Sequence, residues 1–119
     1  MKPTIAEQLD TARRVVTERG IDLTASRSVM RSMYPQLIDS ADERVDFAAL
    51  AQIATIVGLP EPHTTDAIAR HLADTSGAFP WEGPVGNGLS LDYYQGKFRE
   101  MAGELVFLGR HFGLMEVSE

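Results

Sequence analysis

At 119 residues, with 44% hydrophobic and 24% charged residues and a net charge of −6, the chain has the size and composition of one modest folded domain, 1–119, rather than of a disordered segment. It holds no cysteine, which excludes disulfides, thiol nucleophiles and cysteine-ligated metals and favours an intracellular setting. No apolar run approaches a bilayer span and no basic stretch followed by an apolar one opens the chain, so a cytoplasmic protein with no membrane partner is expected.

Thr4-Ile5-Ala6-Glu7 has capping-box spacing, in which a hydroxyl and a carboxylate satisfy free backbone N–H groups, so a first helix is expected to start there. Ile5, Leu9, Ala12 and Val16 follow at helical steps as a narrow inward stripe, and Gly20 supplies the left-handed residue that ends many helices. A second helix is expected from about Thr24 or Ala25, with Val29, Met30, Met33, Tyr34 and Leu37 inward. Pro35 lacks a donor and clashes with the preceding turn, so this helix should end or bend near Met33.

Ser40-Ala41-Asp42-Glu43 is a second capping box, with Asp46 as an alternative start one turn later. From Phe47 to Val57 almost no polar face remains, which predicts that this third helix sits at the centre of the domain. Gly58, Pro60 and Pro62 end it, and a short fourth helix over about 64–74 turns Ala67, Ile68, His71 and Leu72 to one side. Residues 75–90 read as a Gly/Pro/aromatic loop, after which Ser90 caps a last helix over about 90–113, with Asp92 at its positive end and Arg110 and His111 at its negative end. The expected fold is therefore all-α, a compact bundle of about five helices.

The last helix carries the strongest pattern in the chain. Leu91, Tyr94, Phe98, Met101, Leu105, Leu108, Phe112 and Met115 alternate steps of three and four, an apolar seam in which 91, 98, 105 and 112 take the a positions of a heptad. Gly96 and Gly103 fall opposite the seam, where each costs a free helix about 1 kcal/mol against alanine, and this argues for a neighbour packed on that side. Tyr93, Phe107 and Leu114 widen the apolar surface toward c. Such a helix either completes the core or meets a second subunit, so Leu105, Leu108 and Phe112 are candidate interaction residues.

Other features bear on function. Residues 50–72 loosely resemble a helix-turn-helix through Ala54, Gly58, Leu59 and Ile68, with one extra residue and two prolines in the turn. That alternative is a DNA-binding regulator with Arg13, Arg14, Arg27, Arg31 and Arg70 on phosphate, yet the segment holds few donors for base edges, and an ordinary helical hairpin accounts for the same residues. Residues 1–35 hold six Lys/Arg against four acids, residues 36–75 two against seven and residues 76–119 three against six, so only the first third could form a basic face and nucleic acid is disfavoured.

Phe79 and Trp81, stiffened by Pro80 and Pro84, either pin the 75–90 loop onto the domain or present anchors to a partner, and a small-molecule pocket under this loop is a further alternative. His63 and His71 are eight residues apart, outside the spacing of zinc helices, so no metal is assigned. The acid pairs Asp42/Asp46 and Glu100/Glu104 have the spacing of a shared helix face but read as exposed faces tolerating like charge rather than as a catalytic site. Gly83 to Gly88 lacks the Lys-Ser/Thr ending of a phosphate loop, so no cofactor is implied. The expectation is a small acidic helical interaction protein, an adaptor, regulator or accessory subunit rather than an enzyme, with homodimerisation as its first association.

Overall fold

In a computed structural model, which describes residues 4–77, 79–85 and 90–116, every α or β element among the described residues is a helix. They are α1 (Ile5–Arg19), α2 (Leu23–Met33), α3 (Asp42–Val57), α4 (Thr65–Ser76) and α5 (Leu91–His111), with a short 3-10 turn at Pro35–Leu37. The all-α fold with a long C-terminal helix is therefore as the sequence predicts. Ala78 and residues 86–89 of the predicted 75–90 loop lie outside the described residues.

The helix ends follow local chemistry. Thr4, Asp22, Thr64 and Ser90 each cap the helix that follows by accepting a backbone N–H, from Glu7, Thr24, Ala67 and Tyr93 respectively. Gly20 and Gly113 are left-handed at φ 65° and 67°, and each closes its helix with a paired Schellman motif. At Gly113 the bonds run from its own N–H to the Arg110 carbonyl and from Leu114 N–H to the Gly109 carbonyl, at 3.0 and 2.8 Å. One expected cap is absent: α3 starts after Ala41, with no side-chain bond. The carbonyl of Ser40 instead accepts the Arg31 guanidinium at 3.0 Å, and Asp46 sits inside the helix rather than at its start.

The chain gathers into two compact units, Met1–Gly58 and Leu59–Glu119. In the first, α3 packs against both α1 and α2. Its inward residues Val45, Ala49, Leu50, Ile53 and Ile56 join Ala12 of α1, Met30 of α2 and Leu37 as buried core. α3 is thus central to this unit, as its near-absence of polar residues predicts, but two of its apolar side chains, Phe47 and Val57, stay exposed. Ile5, expected inward, is 73% exposed at the first position of α1.

In the second unit α4 packs on α5. The faces they bury carry small residues, Ala69 and Ala73 on α4 and Ala102 and Gly109 on α5, which lets two helix backbones approach closely. The buried face of α5 is rotated from the heptad seam as a result. Leu105, Leu108, Phe112 and Met115 are buried and Leu91, Tyr94 and Phe98 half-buried, but Met101 is 48% exposed. The apolar surface widens toward Ala102 and Gly109, at e, instead of toward c, where Tyr93 and Phe107 are exposed. A β-carbon added at Gly96 or Gly103 would meet no heavy atom within 4 Å, so the neighbour expected against these glycines is not found among the described residues of this unit.

Candidate functional site

The first unit leaves one apolar face open. α1 contributes Ile5, Gln8 and Leu9, and α3 contributes Phe47, Ala51, Ala54 and Thr55, to a groove of about 300 Å3 between the two helices. On α3, residues 47, 51 and 54 share one helical face, roughly opposite the face that buries Val45, Ala49, Ile53 and Ile56. Phe47 is 52% exposed although it is among the largest apolar side chains of the helix. A three-helix unit has partners for only two sides of an all-apolar helix, and the third side is this groove. None of its lining residues is ionisable.

Arg27 and Arg31 of the first unit are held by carboxylates. Arg27 of α2 grips Asp46 of α3 with two parallel hydrogen bonds, Nε to Oδ1 at 2.9 Å and Nη2 to Oδ2 at 2.7 Å. It also reaches Asp42 at 3.2 Å, and Arg31, one turn on, bonds the same Asp42 at 2.9 Å. Two pairs spaced four apart thus interlock across α2 and α3. The hydrogen bond from Arg31, helped by the charge of Arg27, holds the Asp42 carboxyl below the usual carboxylate range. The bond to Asp46 raises the Arg27 guanidinium further, against a smaller opposing effect of burial and with the Asp42 charge assisting. Asp42 is exposed as expected and Asp46 half-buried, but the like charge of the pair is relieved because arginine bridges it.

The other arginines named for phosphate divide between the units. Arg13 pairs with Asp10 at 3.5 Å, and Arg14 is exposed on α1. Arg70, on α4 of the second unit, lies 3.3 Å from Glu82 and 3.9 Å from Asp74. The helix-turn-helix resemblance divides as well, since Ala54 and Gly58 belong to the first unit and Leu59 and Ile68 to the second, where α4 turns Ile68 into its packing with α5.

In the second unit the loop before α5 is pinned. Phe79 is buried, with its ring 5.3 Å from Tyr94, 5.6 Å from Phe98 and 6.1 Å from Trp81, centroid to centroid. Trp81 is half-buried: its carbonyl accepts Gln95 Nε2 at 2.7 Å, and the Arg99 guanidinium lies 5.4 Å from its ring centre while bonding Asp66 at 2.9 Å. The Phe79 ring thus ties the described part of the loop to Tyr94 and Phe98 of α5. Leu105, Leu108 and Phe112 are buried in the same unit. The exposed side of α5 carries Tyr93, Lys97, Glu100, Glu104 and Phe107, a mixed and charged stripe.

The histidines stand apart in their settings. The Nε2 of His63 lies 3.3 Å from the Leu59 carbonyl, His71 is half-buried on α4 and His111 is exposed at the end of α5. Among the described residues no group of three or more His, Asp or Glu is placed to hold a metal ion. No helix among them is long and apolar enough to cross a membrane. The α1/α3 groove is the feature the sequence reading missed. Its signal was there: an α3 apolar on more sides than a small bundle can cover.

Compared with protein-family models, with curated proteins and with solved structures, the chain gives no significant match.

Proposed function

We propose that this chain is a small acidic helical interaction protein, an adaptor, regulator or accessory subunit, and that it associates with a second copy of itself through the open face of α1 and α3. The observation that carries the reading is the exposure of Phe47 in the wall of a groove that it lines with Ile5, Leu9, Ala51 and Ala54. Apolar surface gathered in one place marks interaction sites, whereas single exposed apolar residues do not. Three properties favour a second copy over other occupants. The exposed Phe47 ring is part of the groove's own wall, so one face can both offer and receive apolar surface, as a twofold interface requires, where residue i meets j and j meets i. The lining carries no ionisable group, so pairing two such faces brings no like charges together there. The first unit is also nearly balanced, with seven Lys/Arg against eight Asp/Glu, while the second holds four against nine and would repel its copy.

Nucleic acid is a poorer occupant. A phosphate backbone needs free cations gathered on one surface, and Arg27 and Arg31 already satisfy Asp42 and Asp46. An interface built on Leu105, Leu108 and Phe112 would have to expose side chains that are buried in the second unit.

Light-scattering mass of the wild type and of Phe47→Glu tests the reading, with circular dichroism to confirm that the variant folds. The expected result is a dimeric wild type and a helical, monomeric variant, because a charge placed at the exposed ring position spares the core and disrupts only the docking face. A wild type that stays monomeric up to roughly millimolar concentration, where association free energies fall to about −4 kcal/mol, would overturn it.

A further inference from the structure

We draw no further inference here: the strongest candidate, the cavity of about 390 Å3 in the second unit between Glu61–Thr64 at the start of α4 and the Leu114–Glu116 tail, brings together a helix N-terminus, the acids Glu61 and Glu116 and the His63 ring, and no second observation points to a ligand for it.

Discussion

The side chain of Met115 lies across Gly109, so close that a β-carbon on the glycine would fall 2.6 Å from the methionine Cγ and 2.8 Å from its sulfur. The Schellman turn at Gly113 makes this contact, since it reverses the chain just past α5 and returns Met115, 8% exposed, onto the last turn of the helix. Gly109 is therefore a packing residue. Gly109→Ala gains roughly 0.5–1 kcal/mol of helix propensity but forces the flexible Met115 side chain to move, so the net loss should be smaller than the cost of a rigid overpacked site, about 1–3 kcal/mol. In a Met115→Ala background the same substitution should cost much less, because the obstructing atoms are gone. Urea unfolding of the four proteins measures the coupling, and additive costs would show that Met115 does not lie where this account places it.

Gly96 and Gly103 are the opposite case. Both lie inside α5, and a β-carbon at either would meet nothing within 4 Å. Alanine removes backbone freedom from the unfolded chain at no steric cost here, so each substitution should stabilise by roughly 0.5–1 kcal/mol. The measurement is thermal or urea unfolding of the single and double variants. A loss of stability would mean that another surface packs against this side of α5.

Acid should weaken the α2–α3 connection through Asp42. Its carboxyl titrates below its ordinary value because Arg31 and Arg27 stabilise the charged form. The sign follows from linkage: the contribution is fully present above the unfolded-state value, about pH 4 for an aspartate, and is lost as pH falls through the lower folded-state value. Asp42→Asn should thus lower stability at neutral pH and flatten the decline of stability on the acid side of about pH 4. Stability against pH for both proteins reads this directly, and parallel curves down to strong acid would remove Asp42 from the account.

What the residues disclosed before the fold was known divides by range. Caps at Thr4, Ser90, Gly20 and Gly113 depend on atoms within five positions, so their residue types announce them. The start of α3 does not, because the Ser40 carbonyl is held by Arg31, nine positions away on another helix. The seam of α5 consists of large apolar residues, and that periodicity passes over Ala102 and Gly109, whose smallness decides how α4 and α5 meet. The loop aromatics were legible as a pair, but their anchoring depends on Tyr94, Phe98, Gln95 and Arg99, which periodicity alone does not aim at them. The groove lies furthest from the sequence. Ile5, Phe47 and Ala51 read as core in any apolar pattern, and only the number of helices around α3 shows which side is left over.

Whether the α1/α3 face meets its own copy is read out by isotope-filtered NMR on a mixture of labelled and unlabelled protein. Intermolecular contacts are expected from the Phe47 ring to the methyl groups of Ile5, Leu9, Ala51 or Ala54. Intermolecular contacts confined to Tyr93, Met101 and Phe107 of α5, or none in a concentrated sample, would contradict that pairing.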